Sequence, residues 1–293
     1  MRKSAEAHHD KFKSAAQSLE RPPTIVPKPF LRKCPEVPLR QDYRGTFEPD
    51  FWANWGYSPL EMQPKSWINH ENLLRLAEVL GFWDMEWVRK VCQDLKEGYD
   101  IGVRGAARLP SHGENHQSVY EYGSRVADTL CSWVRQGLVA GPLDREELPA
   151  NIKVSPMSCA LKPNGSARVC VNMSWPHLVA PDLEGSVPCS QNAGVDIENY
   201  PTKMVTSRDL LMRIVSVGPS VYMAKIDWAD AYKHLHIRPE DLCLQVISFG
   251  GKYFVEKALT FGCSSSPGTV VYYLGFNSKS SNFCLLVLKM MLN

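Results

Sequence analysis

The chain has 293 residues, of which 44% are hydrophobic and 22% are charged, a composition typical of a globular protein of one large or two small domains. Its longest apolar runs, such as residues 283–288, are far too short to span a bilayer, and its polar first 20 residues contain no secretory signal. The nine scattered cysteines include no C-x-x-C pair, which favours free thiols in a reducing compartment over a disulfide framework or a zinc ribbon. We therefore expect a soluble intracellular protein, nuclear or cytoplasmic, with no membrane partner.

The net charge of +2 indicates no partner, but basic residues are concentrated near the N-terminus. Residues 1–40 hold nine Lys or Arg and four Asp or Glu, a local charge of +5. Such an arm binds nucleic acid or is a solvated tail, and the sequence leaves both interpretations open. The proline-rich region 1–65 lacks periodic patterns, so we predict a loose region in which Trp52, Trp55 and Tyr57 are available for packing.

Residues 66–138 form a predicted helical extension. Asn69 is placed to cap a helix whose leucines fall on one face, and Asp84 is placed to cap a second helix that stops at Gly98. A third helix is predicted over 117–136, where a glycine follows the last periodic residue.

From residue 139 to 293 the pattern changes to short strands separated by turns. Two strands, 158–163 and 167–172, are joined at Asn164-Gly165, a dipeptide typical of a tight hairpin. Ser207 then caps a predicted helix, and residues 221–227 read as a buried strand.

A second hairpin follows, with strands at 242–249 and 252–261 that meet at Gly250-Gly251. Ser266 and Pro267 then open a helix, with Ser266 as its cap. This order of hairpin, helix, strand, hairpin and helix predicts an α+β fold with the helices on one side of the sheet.

Three charged side chains could carry chemistry. Asp227 ends the strand 221–227, where a carboxylate at the rim of a sheet can hold Mg²⁺ or simply cap the strand. Lys162 and Arg168 lie on the first hairpin, where they can contact phosphates or be solvated. Asp241, in the loop after the strand, is expected to be solvated.

Taken together and in order, these residues resemble a known family. Residues from about 140 to 268 are similar to reverse transcriptases, most closely those of DIRS-like retroelements, which carry a tyrosine recombinase. The resemblance is carried by three runs, which read AGPLDREELPANIKVSPMSCALKPNGSARVCVNMSWP (140–176), YMAKIDWADAY (222–232) and HIRPEDLCLQVISFGGKYFVEKALTFGCSSSPG (236–268). It implies a partial fingers and palm unit that follows the N-terminal helical extension.

The resemblance also implies roles for residues at the reaction centre. Asp227 matches the first catalytic metal ligand, and the backbone carbonyl of Trp228 would be a second ligand to Mg²⁺. Tyr232 matches the aromatic residue under the sugar of the incoming dNTP, where it would clash with a ribose 2′-hydroxyl. Lys162 and Arg168 match the fingers residues that grip the triphosphate.

Four residues match the turn that supports the template and the nascent base pair: Phe261, Gly262, Ser266 and Pro267. The implied partners are an RNA or DNA primer-template and a dNTP. Two departures lie in the fingers, since Asn172 and Ser174 stand where many relatives carry an acid and an arginine.

A larger departure is the second acidic motif of the family, aromatic-x-Asp-Asp. The sequence has no Asp-Asp pair, and its last acidic residue is Glu256. After Gly268 the family pattern is lost, as expected of a frame-shifted or intron-derived tail or a truncated gene. We therefore expect a fragment of an RNA-directed DNA polymerase that is inactive on its own. The alternatives are a non-catalytic nucleic-acid-binding remnant and a degenerate fragment without function.

Overall fold

The computed structural model of the chain describes residues 43–60, 68–82, 84–163, 165–177, 187–202, 206–217 and 231–273. The predicted strand 221–227 lies outside the described residues, as do Trp228, the basic segment 1–40 and the tail from 274 onward. The sequence-based expectations for these segments therefore remain predictions.

The α-helices of the described residues lie mostly in the first half of the chain. They are α1 Pro49–Trp52, α2 His70–Val79, α3 Met85–Glu97, α4 Gln117–Glu121, α5 Gly123–Arg135, α6 Ser207–Val217 and α7 Ser266–Tyr273. The caps predicted for α2 and α3 are confirmed, because the side chain of Asn69 accepts the Asn72 amide and that of Asp84 accepts the Trp87 amide. The helix predicted over 117–136 is divided into α4 and α5.

Two other predicted caps are wrong. Thr206, rather than Ser207, caps α6: its Oγ1 accepts the Asp209 amide at 3.2 Å, and the Asp209 carboxylate accepts the Thr206 amide at 2.9 Å. Ser266 is the first residue of α7, and its buried hydroxyl finds no hydrogen-bond partner among the residues that the structure describes. In both places hydroxyl residues are adjacent in sequence, and the helix register decides which of them faces the free amides.

The strands form two sheets. They are β1 Ser111–His112, β2 Val139–Leu143, β3 Lys153–Val154, β4 Met157–Leu161, β5 Ala167–Val171, β6 Val246–Phe249 and β7 Lys252–Glu256. A mixed five-stranded sheet has the order β1-β3-β6-β7-β2, in which β3 runs parallel to both β1 and β6. Strands β4 and β5 pair only with each other among the described strands. The predicted α+β class is confirmed.

The predicted Gly-Gly hairpin is confirmed, with shorter strands than expected. Strands β6 and β7 pair in antiparallel register on either side of Gly250 and Gly251, whose φ angles of 60° and 81° suit a tight hairpin turn. Residues 242–244 of the predicted strand instead end a 3-10 helix, Pro239–Leu244, which begins at a proline as helices often do.

The sheet is covered on both faces by helices of the region 66–138, which the prediction of helices on one side did not take into account. Ile247 and Phe254 pack with α5 in one buried cluster, whereas Val246 and Val255 pack with α2 and α3 in another. Successive side chains of a strand point to opposite faces, so both faces of β6 and β7 are apolar. Residues on the two sides of the predicted boundary at 138–139 share these clusters and this sheet.

The N-terminal aromatic residues complete the second cluster. Trp52 and Trp55 are buried with ring centroids 4.8 Å apart, and both approach Phe254 of β7. Tyr57 does not join them: it is 60% exposed and its hydroxyl donates to Glu147. None of the helices described is long and apolar enough to cross a membrane.

Candidate nucleic-acid and nucleotide site

The hairpin of β4 and β5 carries two of the predicted site residues. The Lys162 amide donates to the Ser166 carbonyl at 2.9 Å, and the Gly165 amide donates back to the Lys162 carbonyl at 2.9 Å. The predicted hairpin is confirmed, with strands one or two residues shorter at their inner or outer ends than expected and three residues between the last hydrogen-bonded pair, Lys162 and Ser166. Pro163 lies in this three-residue loop, where its ring fixes its φ angle and removes a backbone N–H donor.

The hairpin has one apolar face and one cationic face. Met157 and Cys159 of β4 are buried against α4 and α5, whereas Arg168, opposite Ala160, is exposed. Lys162 follows Ala160 by two residues, so it lies on the same face as Arg168 in a diagonal relation. We call this surface the cationic hairpin face, defined by Lys162 and Arg168.

Two further predicted site residues are in contact. Tyr232 lies in the short 3-10 helix Ala231–His234, and its ring meets that of Phe261 edge to face, with centroids 4.4 Å apart. Phe261 is 74% exposed, so one face of its ring is open to solvent. Burial raises the pKa of the half-buried Tyr232 phenol above its ordinary value, which keeps the hydroxyl neutral. We call these two residues the aromatic pair.

The residue next to Tyr232 anchors this short helix in the core. Lys233 is buried, forms an ion pair with the buried carboxylate of Glu256, and lies 4.9 Å from the ring centroid of Trp133. Glu256 is the last acidic residue of the chain. Because its charge is compensated inside the core, Glu256 is not available as a metal ligand at the surface.

The expectation that Asp241 is solvated is wrong. Asp241 is fully buried, and its carboxylate accepts hydrogen bonds from Arg108 at 2.6 Å and from Arg238 at 2.9 Å. The Ile101 amide adds a third bond at 3.2 Å. Arg108 and Ile101 are more than a hundred residues away in sequence, so local patterns gave no sign of this cluster. Asp241 therefore binds arginines rather than a metal.

Gly262 lies in the turn that follows Thr260, and it packs directly against the backbone of β5. A Cβ atom built on Gly262 would lie 2.2 Å from the Val171 carbonyl oxygen, so the turn rests directly on the end of β5. The neighbouring Thr260 hydroxyl is hydrogen-bonded to the sulfur of Met173 at 3.2 Å. The turn after Thr260 is thus attached to the hairpin that carries Lys162 and Arg168.

The other predicted residues of this turn point inward. Ser266 is fully buried and Pro267 is half-buried within α7. Of the four residues predicted to support the template, Phe261 is the one whose side chain is largely exposed.

Sequence reasoning missed Asn192, which joins the turn to the chain after β5. Its side-chain amide donates to Ser174 and to the Gly262 carbonyl, and it accepts the Ser264 amide. The segment around Asn192 reads only as an irregular loop, and a single Asn in such a loop is not a specific signal.

Within the described ranges, no group of three or more His, Cys, Asp or Glu side chains is placed to hold a metal ion. Asp227 and Trp228, the predicted ligands of Mg²⁺, lie outside those ranges. The metal site therefore remains a sequence-based prediction.

No protein-family model and no curated protein matches the chain. Among solved structures it is similar to the native prototype foamy virus protease-reverse transcriptase, at 14% identity and a TM-score of 0.40, over 62% of this chain and 20% of that one. It is also similar to a foamy viral protease-reverse transcriptase in complex with dsDNA, at 13% identity and a TM-score of 0.39, over 78% of this chain and 47% of that one. The chain therefore spans less than half of these neighbours. Likeness at this level carries no argument about chemistry, which must come from the contacts themselves.

Proposed function

We propose that the chain is a fingers and partial palm fragment of a reverse transcriptase from a DIRS-like retroelement, which binds an RNA or DNA primer-template and a dNTP. The observation that carries the proposal is that the turn at Gly262 connects the cationic hairpin face to the aromatic pair. The turn at Gly262 rests on the hairpin with the cationic face, and it presents Phe261 to Tyr232. The retroelement lineage rests on the three sequence runs quoted above.

Each side chain has a role that its chemistry supports. Arg168 can bind phosphate oxygens through two parallel N–H groups, and Lys162 adds a mobile point charge. The open ring face of Phe261 can stack on a base pair, and Tyr232 beneath it would leave no room for a 2′-hydroxyl on the incoming sugar. The basic segment 1–40 would add sequence-independent contacts to the phosphate backbone.

We assign Mg²⁺ to Asp227 and the carbonyl of Trp228, and we propose that the 293-residue polypeptide does not extend a primer by itself. Two Mg²⁺ ions bring four positive charges, which a single carboxylate cannot balance. Glu256 and Asp241 are already paired with basic side chains in the core. This pairing favours the alternative that, on its own, the polypeptide binds nucleic acid without catalysis.

A salt titration tests the binding proposal. We expect the affinity for a fluorescent primer-template to fall steeply between about 50 and about 200 mM salt, because binding to phosphates releases counterions. Replacing both Lys162 and Arg168 by alanine should reduce the slope of log affinity against log salt by about two. The matched control replaces Arg89 and Lys96, two exposed cations of α3, by alanine. Equal losses in both double variants would contradict a specific role for the hairpin.

Primer extension on an RNA template with Mg²⁺ or Mn²⁺ tests the catalytic proposal. We expect no extension by the wild-type polypeptide and none by Asp227→Asn. Extension by wild type that Asp227→Asn abolishes would show that the polypeptide contains a complete metal site, and would disprove its inactivity. Asp241→Asn should then leave extension unchanged per folded molecule, since its carboxylate is committed to Arg108 and Arg238.

A further inference from the structure

We propose that Asn192 is a positioning residue that fixes the aromatic pair relative to the cationic hairpin face. Through this tether it sets where Phe261 meets the nascent base pair. The inference rests on the proposed function, but the position of Phe261 can be measured without any nucleic acid.

The side chain of Asn192 bridges three segments. Its Nδ2 donates to the Ser174 hydroxyl at 2.9 Å and to the Gly262 carbonyl at 3.0 Å, and its Oδ1 accepts the Ser264 amide at 2.9 Å. Its own backbone amide donates to the Met173 carbonyl at 3.1 Å. One half-buried side chain thus holds the turn after Phe261 against the residues that follow β5.

These contacts require an amide in one orientation. Turning the amide over would place Oδ1 against the carbonyl oxygen of Gly262 and Nδ2 against the Ser264 amide, and both contacts would be lost. Aspartate has the same shape but cannot donate, so it would set a negative charge against the Gly262 carbonyl. Neither aspartate nor alanine can therefore replace Asn192 at this place.

Phe261 needs such a tether because little else in the described part of the chain fixes it. At 74% exposure its ring gains little from burial, and its ring contact is with Tyr232. The close approach of Gly262 to Val171 limits how near the turn lies to β5, but it makes no directional bond. The hydrogen bonds of Asn192 supply that direction, and they connect the two surfaces that the proposed function uses together.

The first experiment measures the position of Phe261 in the free protein by ¹⁹F NMR. The ten phenylalanines are replaced biosynthetically by 4-fluorophenylalanine, and the signal lost in Phe261→Leu is assigned to position 261. Its shift depends on the edge-to-face contact with Tyr232. We expect Asn192→Ala and Asn192→Asp to move or broaden this signal while the other signals keep their positions.

Two further variants control this experiment. Asn199→Ala removes an exposed asparagine whose side-chain amide donates to nearby Asp196, and it should leave the signal of Phe261 unchanged. Ser174→Ala removes one of the three side-chain contacts of Asn192, so it should move the Phe261 signal less than Asn192→Ala does. Because Asn192 itself is kept, this variant still tests the tether if Asn192→Ala folds poorly. An unchanged Phe261 signal in folded Asn192→Ala and Ser174→Ala would overturn the proposal.

The second experiment connects the position of Phe261 to the proposed function. A primer-template with 2-aminopurine at the template position facing the primer end reports stacking through its fluorescence. At saturation, Asn192→Ala should reduce the fluorescence change to less than half, with a less than threefold change in Kd. The Lys162 and Arg168 double variant should weaken binding and keep the saturating signal. A larger effect of Asn192→Ala on Kd than on the signal would contradict positioning.

The two experiments separate the two proposals. If Phe261→Leu leaves the 2-aminopurine signal unchanged, the proposed contact between Phe261 and the base pair is wrong, whatever the tether does. If the ¹⁹F signal of Phe261 is insensitive to Asn192, the tether is wrong, whatever the protein binds.

Discussion

The cationic hairpin face and the buried ion pairs use the same residue types under opposite conditions. Lys162 and Arg168 lie on the exposed face of a two-stranded sheet. Lys233 is enclosed in the core with the carboxylate of Glu256, and buried Asp241 is held by two arginines. The exposed cations keep their charge available for a phosphate, whereas the buried charges are compensated within the protein.

The difference shows that the surroundings of a charged residue decide its role. A charge in the core must be paired, because removing it from water costs several kcal/mol. A charge on an exposed hairpin contributes little to stability, so it is free to serve binding. The chain therefore separates charges that hold the fold from charges that can meet a ligand, and the following variants test this separation.

The largest effect is expected for Glu256→Gln. This change leaves the ammonium group of Lys233 in the core without its counter-charge, so we expect a loss of about 3–5 kcal/mol in the free energy of unfolding. Urea denaturation followed by circular dichroism measures it. The control Lys252→Gln breaks a more exposed ion pair, to Asp144, and should cost no more than about 1 kcal/mol.

A double variant sharpens this test. Replacing Lys233 by Met and Glu256 by Leu removes both charges together, so the variant should recover most of the stability lost in Glu256→Gln. A double variant as unstable as Glu256→Gln would show that the loss comes from packing rather than from an unpaired charge.

A buried histidine should make stability depend on pH. Burial, with smaller contributions from the charges of Lys257 and His234, lowers the pKa of His236 from 6.5 to about 4. Between these values the unfolded chain binds a proton that the folded chain does not, so stability is complete above about pH 6.5 and falls as the pH drops toward 4. The expected loss is up to about 3 kcal/mol.

The measurement for His236 is a comparison of pH profiles. Denaturation midpoints between pH 7 and pH 4.5 should fall less steeply for His236→Gln than for the wild type. The control His177→Gln replaces an exposed histidine and should keep the wild-type slope. Equal slopes for all three proteins would show that His236 is not buried in its neutral form.

Gly262→Ala should have an intermediate effect. Its added Cβ atom would lie 2.2 Å from the Val171 carbonyl oxygen, so the turn must move away from β5. We expect a loss of about 1–3 kcal/mol, typical of an overpacked site. Gly165→Ala is the comparison in the exposed hairpin loop: no atom of the described residues beyond its chain neighbours lies within 4 Å of the added Cβ, although its φ of 77° adds backbone strain. If Gly262→Ala is no more destabilising than Gly165→Ala, the close approach of the turn to β5 is wrong.

The smallest effect on stability is expected for the hairpin cations. The Lys162 and Arg168 double alanine variant should keep its free energy of unfolding within about 0.5 kcal/mol of the wild type, since both side chains are exposed. The same variant should show a slope of log affinity against log salt that is smaller by about two. A clear loss of stability would show that these cations hold the hairpin in place, and would break the contrast with Lys233.

Local patterns in the sequence were enough to predict the elements whose signals are local. Asn69 and Asp84 cap their helices as predicted, and Gly250-Gly251 joins its two strands, because these structures depend on a few neighbouring residues. The sequence also indicated Tyr232 and Phe261, whose contact across about thirty residues it could not show.

The tertiary structure alone decided which polar residues work together. Asp241 reads as a solvated loop acid until Arg108 and Ile101, distant in sequence, enclose it. Asn192 reads as an ordinary loop residue until the turn at Gly262 is brought to it.

The sequence by itself therefore determined the α+β class, most helix and hairpin positions and the resemblance on which the proposed function rests. Helix caps and tight turns depend on a few neighbouring residues, so the sequence locates them to within about one position. Only the tertiary structure decided which charges are buried, which face of the hairpin is exposed and what holds Phe261 in place. Burial and hydrogen-bond partners depend on chain segments that meet only after folding, and their desolvation fixes whether a charged residue stabilises the core or remains available to a ligand.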